Sequence, residues 1–179
     1  IRVRLREHKR LHGQDGLEGR DIKLAPGGIR EIEFFTQTHQ IIAGGRDPDL
    51  RKRGTVEGLA MLAQKGWISA DIADRLTTCY RAHRDVEHRL QMVADAHTHA
   101  LPQNPEDFDR IARMMGQRDT SLWRADLSAR LRTVRDVTEG FYLPRARVGQ
   151  DSDIKAPAIT ARWRQYPALR SERAVKIFE

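Results

Sequence analysis

The stretch that decides the fold is DIKLAPGGIREIEFF, residues 21–35. Its first part alternates Ile22 and Leu24 with charged neighbours, which is typical of a half-buried strand. A Pro-Gly-Gly turn at residues 26–28 ends this segment, and a helical pattern begins at Ile29. A strand, a glycine turn and a helix N-terminus together can present backbone N–H groups to a phosphate. The same turn can equally be a structural corner, so both interpretations stay open at this point.

Charged side chains surround this turn. Lys23 precedes it and Arg30 follows it, so two cations flank Gly27 and Gly28. We therefore take Lys23 and Arg30 as candidates for contact with a nucleotide or phosphate. Gly27 and Gly28 are taken as structural turn residues. Glu31, in the first turn of the helix, complements the helix dipole and disfavours an anion on its own side. The spacing matches neither the dinucleotide-binding glycine pattern nor a P-loop.

Apolar residues after the turn recur with helical spacing. Ile32, Phe35 and His39 fall three and four positions apart. Phe34 and Ile41 widen the stripe, which predicts a helix buried on more than half of its circumference. Further helices are predicted at four places: over 55–65, from Ser69, from Asn104 and from near Asp119.

One helix is predicted to be much longer than the others. Its mostly apolar residues form a seam along one face, and successive residues of this seam are alternately four and three positions apart over nearly four heptads. At 1.5 Å per residue it would be roughly 40 Å long, so it must pack against other helices. The sequence therefore predicts an all-α fold: an antiparallel helical bundle with one long central helix, preceded by a short strand at the edge of another core. The seam residues are Ile72, Leu76, Cys79, His83, Val86, Leu90, Val93 and His97.

Composition and charge restrict the possible functions. Of the 179 residues, 39% are hydrophobic and 32% are charged, and no apolar run is long enough to span a membrane. The single Cys79 cannot form an internal disulfide, which favours a reduced, cytoplasmic setting. The net charge of +7 arises at residues 1–25 and 144–179, which carry the whole excess of Lys and Arg. The neutral body between them argues against a nucleic-acid binder.

Histidine and cysteine chemistry has little support in the sequence. His83 and His88 are five positions apart and so do not share a helix face. No H-E-x-x-H or Cys/His ligand set is present, and no His-Asp dipeptide occurs. We therefore predict no metal site. His83 is expected to pack in the core, His99 to bond a helix end, and Cys79 to be an inert core thiol.

Four segments carry a resemblance to a known family: DIKLAPGGIREIEFF, QTHQIIAGGRDPDLR, EHRLQMVADAHTHALP and ALRSERA. Together they are similar to the glutamine synthetase adenylyltransferase family, the bifunctional enzymes that adenylylate and deadenylylate glutamine synthetase. The resemblance covers about residues 17–143 and again 162–174. The form of its glycine turn resembles the amino-terminal, deadenylylating half of these enzymes.

The resemblance implies an activity and its requirements. Family members join nucleotidyltransferase domains to helical domains, and aspartates in the nucleotidyltransferase cores hold two Mg²⁺ ions. The amino-terminal half removes AMP from a tyrosine of glutamine synthetase by phosphorolysis and yields ADP. The other half attaches AMP from ATP, and the balance regulates nitrogen assimilation. Glutamine synthetase and the PII signal protein are the implied partners.

The chain departs from the family at the metal site. No Asp-x-Asp follows a Gly-Ser turn, and two Asp-x-Asp sequences, at residues 47–49 and 151–153, lie in predicted loops. We therefore expect a fragment that has no catalytic residue of its own and is inactive alone. The expected parts are the C-terminal edge of a nucleotidyltransferase domain (1–27), a helical bundle (28–143), a linker (144–158) and the start of a central regulatory helical region (159–179).

Two alternatives remain open. A non-catalytic helical protein-interaction module without a nucleotide role fits the same helical pattern. The helical part of a PII uridylyltransferase is a structural alternative, which the absent His-Asp dipeptide and the SERA sequence at residues 171–174 disfavour.

Overall fold

The computed structural model describes residues 16–94 and 97–142. Within these residues the chain is all-helical, which confirms the predicted fold class, and none of its helices combines the length and hydropathy needed to cross a bilayer. The predicted linker over 144–158 and the helical element over 159–179 lie outside the described residues. The five α-helices are α1 (Ile29–Ala43), α2 (Thr55–Gln64), α3 (Ala70–Ala94), α4 (Pro105–Met114) and α5 (Thr120–Tyr142), with a short 3-10 helix at Pro48–Leu50.

Local capping signals determine where the helices begin. The Ser69 hydroxyl accepts a hydrogen bond from the backbone N–H of Ile72 at 3.2 Å, immediately before α3. The Asn104 side chain accepts from the backbone N–H of Asp107 at 2.8 Å, and Pro105 occupies the first position of α4. The predicted starts of these helices are therefore confirmed.

The predicted strand before the glycine turn is wrong. Residues 16–28 contain only an isolated antiparallel bridge between Asp21 and Ala100. The Asp21 carboxylate accepts hydrogen bonds from the backbone N–H groups of Lys23 and Leu24, both at 2.8 Å. This local bonding curls the chain into turns directly after the bridge, because an aspartate side chain can take the place of a ladder partner.

Two buried clusters form the core, and α3 and α5 contribute to both. The first half of α3 packs with Val134 of α5, whereas its second half packs with Trp123, Leu127 and Leu131. Leu17 and Ile22, from the segment before α1, belong to the second of these clusters. The domain boundary placed between residues 27 and 28 stays a prediction, although these two side chains share the helical core.

The buried stripe of α1 is narrower than predicted. Ile32, Phe35 and His39 are buried, as their spacing predicts, but Phe34 is 42% exposed and Ile41 is 81% exposed. The described neighbours of α1 are α2, α3 and α5. They leave the outer face of α1, with Phe34 and Ile41, in contact with solvent.

Candidate functional site

The glycine turn, residues 21–28, folds over the N-terminus of α1. The backbone N–H of Ile29 donates to the carbonyl of Ile22 at 3.1 Å, and that of Arg30 donates to the carbonyl of Lys23 at 3.0 Å. These are among the N–H groups that a helix start normally leaves without an intrahelical acceptor. The turn itself therefore satisfies the donors that a phosphate would need.

Both glycines of the turn lie against backbone. Gly28 donates to the carbonyl of Ala25 at 2.9 Å, and a Cβ at position 28 would lie 2.6 Å from the Ile22 oxygen and 2.8 Å from the Ala25 oxygen. Gly27 has φ of 81°, in the left-handed region. A Cβ there would overlap the carbonyl oxygen of Leu131 on α5 and lie 2.8 Å from its carbonyl carbon. The turn is thus wedged against α5 with no space for a side chain.

Glu31 joins the turn to α5. Its Oε2 atom accepts a hydrogen bond from the backbone N–H of Gly27 at 2.9 Å and another from the Thr138 hydroxyl at 3.2 Å. A phosphate at the turn would meet this carboxylate rather than a free N–H group. The arrangement favours the structural corner over a backbone phosphate cradle.

Lys23 and Arg30, the predicted phosphate-proximal residues, have different partners. The Lys23 ammonium lies 3.2 Å from Oε1 of Glu87 on α3. Arg30 is exposed, and its guanidinium carbon lies 5.3 Å from the ring centroid of Phe34, a cation–π contact within α1. Contact of either residue with a nucleotide stays a prediction.

Glu87 is the centre of a polar cluster that the sequence analysis missed. Its side chain is 1% exposed and lies within ion-pair distance of Lys23, Arg84 and His99. The Arg84 Nη1–Oε2 distance is 2.6 Å and the His99 Nδ1–Oε1 distance is 3.1 Å. Neither carboxylate oxygen is aligned for a hydrogen bond with a described residue, so the attraction is chiefly coulombic. The Glu87 cluster, these four residues, links α3 to the turn and to the segment before α4.

One sequence signal could have located Glu87. His83, Glu87 and Leu90 are spaced by four and three, so all three lie on the buried face of α3. The charged run around Glu87 concealed this spacing, because such runs are usually solvated faces. The prediction that His99 bonds a helix end is wrong, since its ring faces the Glu87 carboxylate.

The buried histidines behave as core residues. His83 is fully buried, and desolvation, reinforced by the nearby Arg130 charge, lowers its pKa from 6.5 to about 3. Burial likewise lowers the pKa of His39, whose Nδ1 lies 2.7 Å from the Phe35 carbonyl and whose ring stacks on Phe141. The predicted core packing of His83 is confirmed. Cys79 is also buried, and desolvation raises the pKa of its thiol, as expected for an inert core cysteine.

The buried state of His83 predicts a loss of stability in mild acid. Below pH 6.5 the unfolded residue binds a proton that the folded residue excludes until about pH 3. The free energy of unfolding should therefore fall as the pH is lowered, by up to about 1.4 kcal/mol per pH unit from this histidine. Urea unfolding between pH 6.5 and 5 should show a shallower dependence in His83→Leu than in the unaltered chain.

A matched control for this measurement is His88→Gln, since His88 is exposed on the same helix. We expect His88→Gln to keep the pH dependence of the unaltered chain. Equal slopes in His83→Leu and the unaltered chain would contradict the prediction, because another group would then be responsible for the acid sensitivity.

The described residues do not fit a metal centre. No group of three or more His, Cys, Asp or Glu side chains in residues 16–94 and 97–142 is placed to hold a metal ion. Asp47 and Asp49 both pair with Lys65, at 3.0 and 2.8 Å. Lys65 also lowers the pKa of Asp49 by hydrogen bonding. The Mg²⁺ that the resemblance implies has no ligand set in this part of the chain.

The helices and the glycine turn together match a known family. A family model described as GlnD PII-uridylyltransferase covers residues 1–142. The matched range includes the turn, the Glu87 cluster and all five helices of the described residues. The chain therefore belongs to this family, and the absent His-Asp dipeptide does not separate it from the family as the sequence analysis supposed.

Similar proteins identify a narrower group within that class. They are named bifunctional glutamine synthetase adenylyltransferase/adenylyl-removing enzymes, which confirms the resemblance. One, from Rhizobium meliloti (strain 1021), is 51% identical over 134 residues, covering 75% of this chain and 14% of the relative. Another, from Xanthobacter autotrophicus, is 48% identical over 170 residues, covering 94% of this chain and 16% of the relative. The chain thus spans only about a seventh of the length of such relatives.

Proposed function

We propose that the chain is the helical domain of an enzyme that adenylylates and deadenylylates glutamine synthetase. The observation that carries this proposal is the 51% identity with the Rhizobium meliloti enzyme over 134 residues. The proposal includes an antiparallel bundle, supported by the opposite halves of α3 and α5 that share each core cluster. The proposal also assigns the chain to the adenylyl-removing half of such an enzyme, and the form of the glycine turn supports this assignment.

The role of this domain is to position rather than to catalyse. The turn at residues 21–28 is held by Leu131 and Glu31 on one side and by the Glu87 cluster on the other. Any element that precedes the turn is thereby fixed relative to α3 and α5. The carboxylates that hold Mg²⁺ for transfer between ATP or ADP and glutamine synthetase belong to other residues of the enzyme. The wider proposal includes regulation by the PII protein in the cytoplasm.

Exchange of this segment between enzymes tests the proposal. The 134 matched residues of this chain would replace their counterparts in the Rhizobium meliloti enzyme, and AMP attachment and removal would be assayed with purified glutamine synthetase. We expect the exchanged enzyme to keep both activities and the 179-residue chain alone to have neither. A folded exchanged enzyme without either activity would overturn the family function, and turnover by the chain alone would overturn the positioning role.

Substitutions in the exchanged enzyme test the phosphate-proximal candidates. Arg30→Ala and Lys23→Ala should each lower kcat for AMP removal by roughly tenfold or more if the cations stabilise transferring phosphate. Arg53→Ala, an exposed cation elsewhere, should stay within about twofold. Thermal unfolding of each variant separates lost chemistry from lost stability, since Lys23 also pairs with Glu87. Unchanged kcat in both variants would remove Lys23 and Arg30 from the site.

A helical interaction module is the second candidate. Phe34 and Ile41 are exposed seven positions apart on α1, which favours a surface that contacts another protein. Two results together would support this function. In calorimetry the unaltered chain would bind glutamine synthetase and the Ile41→Lys variant would not, and the exchanged enzyme would be inactive. Catalytic activity in the exchanged enzyme would favour the first proposal.

A further inference from the structure

A small cleft lies between the segment before α1 and the middle of α5. Its volume is about 140 Å³, and its lining residues are Leu17, Arg20, Pro26, Ser128, Leu131, Arg132 and Arg135. It adjoins the glycine turn through Pro26 and Leu131 but is separate from the N-terminus of α1 and from the Glu87 cluster.

The cleft concentrates positive charge. Three of its lining residues are arginines, and none of its lining residues in the described part of the chain is acidic. The Arg20 Nη2 group donates to the Pro26 carbonyl at 2.5 Å, which fixes this guanidinium beside the opening. No ion pair between described residues uses Arg132 or Arg135. Two guanidinium groups therefore line the cleft without a carboxylate partner among these residues.

The arginines of α5 share one face with a hydroxyl. Ser128, Arg132 and Arg135 are spaced by four and three, so their side chains leave the helix on the same side. Like charges three positions apart repel each other on a helix. An anion between them would remove this repulsion, and the Ser128 hydroxyl would supply a neutral donor.

We infer that this cleft binds a phosphate group through Arg132 and Arg135, with Arg20 and Ser128 beside it. The planar fork of a guanidinium matches phosphate oxygens in pairs, which favours phosphate over a monovalent anion. The cleft is well below the roughly 300 Å³ of the smallest pockets that enclose a drug-sized ligand. It therefore admits free orthophosphate or the terminal phosphate of a nucleotide whose nucleoside stays outside. The inference does not depend on the reaction proposed above.

Calorimetric titration of the 179-residue chain tests this site. The ligands are orthophosphate, ADP and adenosine, at low and constant ionic strength because exposed charges are screened by salt. We expect saturable 1:1 binding of orthophosphate, and Arg132→Gln and Arg135→Gln should each weaken it by about tenfold. Arg118→Gln, an exposed arginine outside the cleft lining, should leave it within about twofold. Thermal unfolding shows whether each variant is folded. Arg132→Lys keeps the positive charge but lacks the planar guanidinium, so it should weaken binding less than Arg132→Gln.

Comparison of the three ligands shows whether the bound phosphate is free or part of a nucleotide. Equal affinity for orthophosphate and ADP supports a site for free phosphate. Tighter binding of ADP that Arg132→Gln and Arg135→Gln abolish supports a site for the terminal phosphate of a nucleotide. Binding of adenosine alone, equal weakening by Arg118→Gln, equal competition by chloride, or no binding of either phosphate would overturn the inference.

Discussion

Replacement of Gly27 by alanine is expected to lower the free energy of unfolding by roughly 3–5 kcal/mol. Two costs combine at this position. The φ of 81° is unfavourable for any residue with a Cβ, and the new methyl group would overlap the Leu131 carbonyl. Relief requires the turn to separate from α5, which would also stretch the hydrogen bonds that the Gly27 N–H and the Thr138 hydroxyl donate to the Glu31 carboxylate. Urea unfolding followed by circular dichroism measures the change.

Two other glycines separate these costs. Gly116 also has positive φ, at 74°, but a Cβ there would meet nothing within 4 Å, so Gly116→Ala should cost only the backbone term of about 1–2 kcal/mol. Gly45 has neither constraint, and Gly45→Ala should stay within about 0.5 kcal/mol of the unaltered chain or stabilise it slightly. A Gly27→Ala effect no larger than that of Gly116→Ala would show that the turn is not wedged against α5.

The second large effect is expected at Glu87. Glu87→Gln keeps the shape of the side chain but removes the charge that attracts Lys23 and Arg84, and it should cost about 2 kcal/mol. Glu87→Ala should cost about 3 kcal/mol, the low end for removal of one member of a buried pair. The low end applies because Lys23, Arg84 and His99 are 32%, 35% and 23% exposed and can regain water.

Asp85→Asn is the matched control, since Asp85 is an exposed acid two positions away on α3. Its effect should stay within about 0.5 kcal/mol. A double-mutant cycle of Glu87→Gln with Lys23→Met then measures the link between α3 and the glycine turn. If Glu87→Gln proves as neutral as Asp85→Asn, the cluster does not hold the turn in place.

The helices were predictable because their signals are local. Ser69 and Asn104 cap the helices that follow them, and the regular steps through Leu76, His83 and Leu90 fix the inner face of α3. These signals act within a few residues, so a single sequence contains them. The same local character makes the four matched segments recognisable as those of a family.

The errors have two different causes, one local and one that depends on distant parts of the chain. The alternation at Ile22 and Leu24 predicted a strand, but the Asp21 carboxylate captures the backbone N–H groups that a strand would share. Phe34 and Ile41 extended an apolar stripe that no described helix covers. The first outcome depends on an aspartate turn that competes with the strand pattern over the same few residues. The second is not visible from spacing, because it depends on which helices the rest of the chain packs against α1.

The sequence by itself determined the helical class, the starts of α3 and α4, the buried places of His83 and Cys79, and the family. It extended the inner face of α3 too far, because Val93 is 39% exposed and the helix ends at Ala94, before His97. Only the tertiary structure decided that the glycine turn is closed by its own carbonyls and by Leu131, that Glu87 is buried among cations, and that two arginines of α5 line a cleft. The physical reason is the range of the interactions. Caps and periodicity join residues within about two helical turns, whereas burial of a charge or exclusion of a Cβ depends on residues brought together from distant parts of the chain.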